Sequence, residues 1–327
     1  MSGLAVKDQE QADSRPSVLD PQALLALGQD LLERRYRFIT PTPVTHQRVN
    51  HRQSNASAHT LEAVFGWNRP FASGLLPIDQ ERDLIASGVI ERRGEQLISC
   101  VRWSTLDPLL LLHSAFPTTQ EDSVFFGPDT YRFAQSISRH LQGVQRPVSR
   151  AVDIGCGTGA GALLIAGACP QAQVFAVDIN PKALAFTRIN AHLAELANVQ
   201  ALHSNVLNDV EGEFDLIVAN PPYMKDSKQR AYRHGGDALG ADLSVRIVRE
   251  SVQRLAIDGT LVLYTGVAIV DGQDPFLAAV RDCFDATRFE TSYRELDPDV
   301  FGEELLEPGY ESVERIAAVE LLVTRRF

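Results

Sequence analysis

Two short stretches hold residue types that could do chemistry together. Asn220-Pro221-Pro222-Tyr223 closes the apolar run FDLIVA, and Val152-Asp153-Ile154-Gly155-Cys156-Gly157-Thr158-Gly159-Ala160 lies upstream of it. An amide or ring-attached amino group is a poor nucleophile because its lone pair is delocalised, so a site that alkylates it must localise that pair and aim it. The Asn220 side-chain carbonyl and the Pro221 backbone carbonyl can each accept one N–H of a flat NH2 group. Both acceptors then share one side of the nitrogen, and the lone pair faces the other way. The two prolines stiffen that backbone, and Tyr223 is placed to lie against the flat face of the acceptor. No metal or general base is needed before transfer when the reaction partner is already activated.

The glycines of the upstream stretch let the backbone come close to a ligand and present amide N–H groups. Gly155-x-Gly157-x-x-Ala160 also satisfies the relaxed dinucleotide fingerprint, with Asp178 about 20 residues further on to hold a ribose. Asp153 separates the two readings. A carboxylate just before the turn repels a pyrophosphate and attracts the ammonium of a methionyl group. The expected cofactor is therefore S-adenosylmethionine, and an NAD-dependent oxidoreductase is the remote alternative, beside an S-adenosylmethionine enzyme that does not transfer methyl. Cys156 reads as a small turn residue and not as a nucleophile.

VDIGCGTG followed by AVDINPKAL resembles the class I S-adenosylmethionine-dependent methyltransferases over about residues 147–325. The resemblance implies a Rossmann-like, seven-stranded, mostly parallel sheet and methyl transfer to a planar amide or amino nitrogen of a protein side chain or a small molecule. It implies that the turn from Gly155 through Cys156, Gly157, Thr158 and Gly159 holds the cofactor, that Asp178 takes both ribose hydroxyls and that Ile179 packs on the adenine face. Asn205, with Val206 beside it, matches the position that meets the adenine amino group, and Asp209 is the alternative. The NPPY motif also resembles that of adenine-amino and guanine-amino enzymes, so an RNA or DNA base is the alternative acceptor.

Two further stretches resemble the release-factor glutamine methyltransferases. In VFFGPDTYRFA, residues 124–134, the resemblance implies a segment folded over the cofactor, with Thr130 at the methionyl carboxylate, Phe126 covering the ligand and Tyr131 toward the substrate. The alternative is a linker helix started by Pro128 and Asp129. RHGGDALGADLSVRI is similar to a glycine-rich stretch of those enzymes and brings His234 toward the substrate. Their acidic-proline element between the two is absent from this chain, so the identity of the acceptor stays open.

The elements that must position these residues follow from pattern. From Pro147 onward, VSRAVDI, AQVFAVDI, VQALHS, FDLIVAN, GTLVLYTG, FETSYREL and RIAAVELLVTRR read as strands, and ALLIAGAC, PKALAFTRINAHLAEL, LSVRIVRESVQRL and PFLAAVRDCF read as helices among them. Such alternation predicts an α/β, doubly wound sheet with the ligand beyond the carboxyl ends of its strands. The expected organisation is a leader at 1–19, a mainly helical recognition or cap domain at 20–122, a connecting segment over the cofactor at 123–146, and the catalytic domain at 147–327. In the first half, Asp20 and Pro21 open a helix, Thr40 to Asn55 reads as loop, and His59 to Gly66 reads as helix. LLPIDQERDLIASGVIERRGEQLISCVRWS predicts a helix closed by Gly88 and two strands turning at Arg93-Gly94. Helices followed by a hairpin over 55–105 resemble a winged-helix module, and a helical cap over the active site is the alternative.

Charge and cysteine usage narrow the partners. Of 31 basic and 42 acidic residues, 16 of each lie in 1–150, so the whole net charge of −11 belongs to 151–327. Nucleic-acid binding is disfavoured, because phosphate neutralisation calls for a basic surface. Cys100, Cys156, Cys169 and Cys283 have no CxxC spacing, and His46, His51 and His59 fit no common ligand pattern, so no metal site is expected and these histidines read as solvated loop residues. No apolar run approaches the ~18–20 residues that span a bilayer, and a cytoplasmic protein with reduced thiols is expected. Nothing in the pattern fixes the oligomeric state.

Overall fold

A computed structural model of the chain describes residues 19–144, 146–224, 233–236 and 239–327. The expected leader lies outside the described residues up to position 18.

Helix α1 (Pro21–Glu33) begins as its sequence demands, with the Asp20 carboxylate accepting the Gln22 N–H at 2.9 Å. The stretch read as loop holds a second helix, α2 (Pro43–Asn50), capped by the Thr42 hydroxyl and opened by Pro43. Its residues are polar and show no apolar stripe, which hid the helix; the Thr-Pro pair was its legible mark. His46 on α2 is correspondingly not solvated. It is 1% exposed, its Nε2 lies 2.8 Å from the Trp67 carbonyl, and its ring stacks on Phe116 at 4.1 Å. His51 and His59 are exposed.

A single wide helical turn at Glu62–Gly66 precedes α3 (Ile78–Ala86), which Gly88 closes with a left-handed φ of 74°. Strands β1 (Ile90–Arg93) and β2 (Gln96–Ser99) form the expected hairpin, turning one residue later at Gly94-Glu95. A second hairpin, β3 (Val101–Leu106) with β4 (Leu109–Ser114), was not foreseen. All six residues of β4 are buried, so LLLLHS lacks the alternation that betrays a half-exposed strand.

The larger unit runs α4 (Pro128–Gly143), β5 (Arg150–Ile154), α5 (Ala160–Ala168), β6 (Gln173–Asp178), α6 (Pro181–Leu193), β7 (Val199–His203), β8 (Phe214–Ala219), α7 (Asp242–Val252), β9 (Leu255–Ile269), α8 (Pro275–Arg281), β10 (Phe289–Asp297) and β11 (Arg315–Arg325). Its seven strands are ordered β10-β11-β9-β8-β5-β6-β7. From β9 to β7 all pairs are parallel, while β11 runs antiparallel to both β9 and β10. Successive strand residues serve opposite cores: Ala151, Val174 and Leu216 pack with α4 and α5, and Val152, Phe175 and Ile217 pack with α7 and α8. Both faces are thus covered, as a parallel sheet requires. Strand β5 is flanked by β6 and β8, so the chain order reverses there and opens a crevice at the carboxyl ends.

The N-terminal unit docks on α6. Leu27 and Leu31 of α1, Trp103 and Leu112 of the second hairpin, and Phe186 and Ile189 of α6 share one core. Asn190, fully buried on α6, accepts the Leu112 N–H at 2.8 Å and donates to the Thr158 carbonyl at 2.9 Å. One carboxamide therefore ties β4 to the glycine turn. Among the described residues no helix is long and apolar enough to cross a membrane.

Candidate active site

A cavity of about 470 Å³ opens at the carboxyl ends of β5, β6 and β8. Its floor is the turn after β5, where Gly155, Gly157 and Gly159 take φ values of 67°, 54° and 80°, a region that side chains disfavour. The Gly155 and Cys156 N–H groups donate to the Val177 carbonyl, and the Thr187 hydroxyl donates to the Gly157 carbonyl, so the turn is held from two sides. Cys156 is buried, and burial with Asp178 and Asp153 nearby raises its thiol pKa well above the ordinary value. That disfavours the thiolate form a nucleophile would need.

Two carboxylates flank the turn. Asp178 closes β6, its Oδ2 accepting the Gly157 N–H at 3.0 Å and its Oδ1 the Asn180 N–H at 2.9 Å. Desolvation raises its pKa, opposed by those backbone donors. Asp153 is 1% exposed, and desolvation pushes its pKa up to about 7 although it accepts the Ala162 N–H. No cation pairs with it among the described residues. Beside Asp178, Ile179 is 51% exposed on the cavity wall, an apolar surface with nothing packed on it. Asn205 and Val206 line the adjoining wall, and Asn205 Oδ1 accepts from Arg246 at 2.9 Å. Asp209 does not reach the cavity.

Asn220, Pro221, Pro222 and Tyr223 leave the end of β8 into the same space. The Tyr223 ring lies on β9 at Gly266, where an added Cβ would sit 2.3 Å from ring carbons, so only glycine admits it there. The stretch after the motif folds back on it: Met224 N–H donates to Arg233, Gly235 N–H donates to Met224, and Arg233 pairs with Glu304. Phe301, Glu303 and Glu304 form a lip opposite, and Val44 and Gln47 of α2 with Phe116 to Thr119 supply the wall from the N-terminal unit.

The first turn of α4 brings Thr130 to the cavity, where its hydroxyl also accepts the Gly127 N–H at 3.4 Å. The segment is thus a helix whose N-terminal end faces the ligand space. Phe126 departs from expectation. It is fully buried against His113 and Tyr131, and Phe125 lines the cavity instead, because neighbouring residues of an extended chain point to opposite sides. Tyr131 is turned away too, its hydroxyl accepting the Thr40 N–H at 3.1 Å. Gly159 caps α5 below the surface of the cavity, and His234 is bridged to Met224 without lining it. Asp129, Phe133, Asn180, Phe301 and the α2 residues join the site unforeseen. Asp129, Phe133 and Asn180 lie inside the stretches VFFGPDTYRFA and AVDINPKAL, whereas Phe301 and the α2 residues come from distant segments.

The lining fits S-adenosylmethionine by its own chemistry: a desolvated carboxylate without a cation, a glycine turn with open space above Gly155 and Gly157, and an unpacked apolar side chain beside a carboxylate. Comparison with known proteins agrees. Residues 134–269 match the methyltransferase small domain. The sheet order is that of the doubly wound architecture expected from the sequence. The particular relatives are glutamine and RNA enzymes. The chain is 35% identical over 146 residues to the release factor glutamine methyltransferase of Deinococcus radiodurans, covering 42% of this chain and 51% of that one. It is 34% identical over 134 residues to the ribosomal protein uL3 glutamine methyltransferase of Xanthomonas campestris pv. campestris, covering 37% and 43%. It is 26% identical over 126 residues to the ribosomal RNA small subunit methyltransferase C of Erwinia tasmaniensis, covering 38% and 32%. The chain spans about half the length of the first of these relatives and less of the others.

Proposed function

We propose that the chain transfers a methyl group from S-adenosylmethionine to the side-chain amide of a protein, with a glutamine of a translation protein as the acceptor. One observation carries the reading: the NPPY motif lines the same cavity as the glycine turn, Asp153, Asp178 and Ile179. The names of the glutamine-modifying relatives select the acceptor class.

When bound, S-adenosylmethionine supplies a methyl group on a sulfonium that is already an activated leaving group. The residues of the chain hold and orient. Asp178 would offer two carboxylate oxygens to vicinal ribose hydroxyls, Ile179 would pack on the base, Asn205 and Val206 would meet its edge, and Asp153 would face the ammonium. Thr130, at the cavity wall, would hold the methionyl carboxylate. Asn220 Oδ1 and the Pro221 carbonyl accept the two N–H of the acceptor amide, which localises its lone pair and turns it toward the methyl. Tyr223, wedged against Gly266, fixes the plane of that amide. Holding the reacting atoms in line at about 3–3.5 Å supplies several kcal/mol of the barrier reduction. The proton leaves to water after transfer.

The test is incubation with methyl-labelled S-adenosylmethionine and, separately, a purified bacterial release factor, ribosomal protein uL3 and total RNA. The expected result is one methyl on a glutamine of one of the two proteins, located by mass spectrometry of its peptides. Label confined to RNA would replace this reading with base methylation.

A further inference from the structure

A buried carboxylate that neither motif contains is tied, directly or through Arg132, to α4, β9 and β10. Asp129, in the first turn of α4, is 3% exposed. Its Oδ1 accepts the Tyr264 hydroxyl of β9 at 2.6 Å and Arg132 Nη1 at 3.4 Å, and Arg132 Nη2 reaches Asp297 at the end of β10 at 2.7 Å. The Tyr223 hydroxyl is buried beside the same carboxylate and lowers its pKa, yet it meets no partner at full hydrogen-bond geometry. Desolvation pushes the pKa of Asp129 up, and the Asp129 charge adds to desolvation in raising both tyrosines. A buried carboxylate is costly unless its partners are well placed. Here the direct partners are Tyr264 of β9 and Arg132 of α4, with Asp297 of β10 holding Arg132 in place.

Pinning α4 to the sheet would need only Tyr264. The remaining geometry asks for more. Asp129 and Thr130 are adjacent and both line the cavity, so one helical turn carries two of its lining residues. The geometry points to Asp129 as a positioning residue that orients the Tyr223 ring, and with it the Asn220–Pro221 acceptor pair, relative to the α4 turn beside the cofactor. This rests on the N-methylation reading. Tyr264 holds the carboxylate from one side, Arg132 offsets its charge and is itself anchored by Asp297, and the Tyr223 hydroxyl takes up the hydrogen bond when the acceptor settles against the ring.

The experiment compares wild type with Asp129→Asn, Asp129→Glu, Tyr223→Phe, Tyr264→Phe and the Asp129→Asn/Tyr223→Phe double variant. Affinity for S-adenosylmethionine is read by calorimetry, and kcat and KM are read with labelled cofactor on the cell-extract fraction that wild type labels. Asp129→Asn is expected to lower kcat about 100-fold, the effect of a small misplacement at the reacting atoms, with cofactor affinity and acceptor KM little changed. Asp129→Glu restores part of the loss, and the double variant is no slower than the slower single one, because both act through one contact. Tyr264→Phe removes a single hydroxyl and carries the test if Asp129→Asn does not fold; about a 10-fold loss of kcat is expected from a lost charged hydrogen bond. Multiplying losses in the double variant, or full turnover in Asp129→Asn or in Tyr264→Phe, overturn the assignment alone. A wild-type protein that binds cofactor but labels no extract fraction overturns the methylation reading and this inference with it.

Discussion

The cofactor half and the acceptor half of the cavity are built on different plans. On the cofactor side nearly every polar group is already engaged by the chain: Asp178 holds the Gly157 and Asn180 amides, Asn190 holds Thr158, and Asn205 accepts from Arg246. On the acceptor side the buried Tyr223 Oη lacks a hydrogen-bond partner among the described residues. A buried polar group left unpaired marks a place where a structure keeps free energy in reserve for a ligand. One half is finished before any ligand arrives; the other is completed by its acceptor.

That contrast predicts that the halves separate under mutation. Asn220→Ala should break the acceptor half alone, lowering kcat by about 100- to 1,000-fold, as loss of one preorganised polar contact to the reacting group does. Its affinity for S-adenosylmethionine, measured by calorimetry, should stay within a few-fold of wild type. Equal losses in both would place residue 220 in the cofactor half and erase the distinction. Asp178→Asn should do the reverse. It removes a charged acceptor that also braces the glycine turn, so the cofactor Kd should rise about 10- to 100-fold, while kcat at saturating cofactor changes little. A kcat that falls in step with affinity would mean the two halves share one rigid frame.

The same division explains what the sequence could disclose. The cofactor half is written nearly contiguously, Asp153 to Gly159 and then Asp178 and Ile179, because one β-α-β unit brings these residues together within a short span. All seven strands were legible because buried, β-branched runs between helices leave few other arrangements. The acceptor half is assembled from β8, β9, α4 and the segment around Phe301, so its members meet only through the sheet order. Tyr264 and Gly266, inside LVLYTG, look like any core strand, and nothing local distinguishes their duties. That Phe125 and not Phe126 faces the cavity was not legible locally, because the side that an extended residue faces depends on neighbours far along the chain. Helix α2 was missed since a polar helix packed by His46 and Val44 has no apolar stripe to read.

The smallest effect expected is the most specific, because it rests on one group. Asp153 titrates at about 7 in the ligand-free chain, far above the 3.8 of an exposed aspartate, through desolvation. A carboxyl whose pKa is raised by folding makes the native state bind the proton more tightly than the unfolded chain. Its contribution to stability is therefore greatest at low pH and declines as pH rises from about 4 to 7. A bound ammonium reverses the preference by favouring the ionised form. Below pH 7 binding must expel the proton, so the Kd for S-adenosylmethionine should rise by up to about 10-fold per pH unit, and above pH 7 it should level off. Calorimetry at pH 6 in buffers of different ionisation enthalpy should register close to one proton released per cofactor bound. Asp153→Asn should flatten the profile and leave Asn220→Ala's profile as the control that still bends. A Kd independent of pH in the wild-type protein would mean that the buried carboxylate serves the glycine turn and not the ligand.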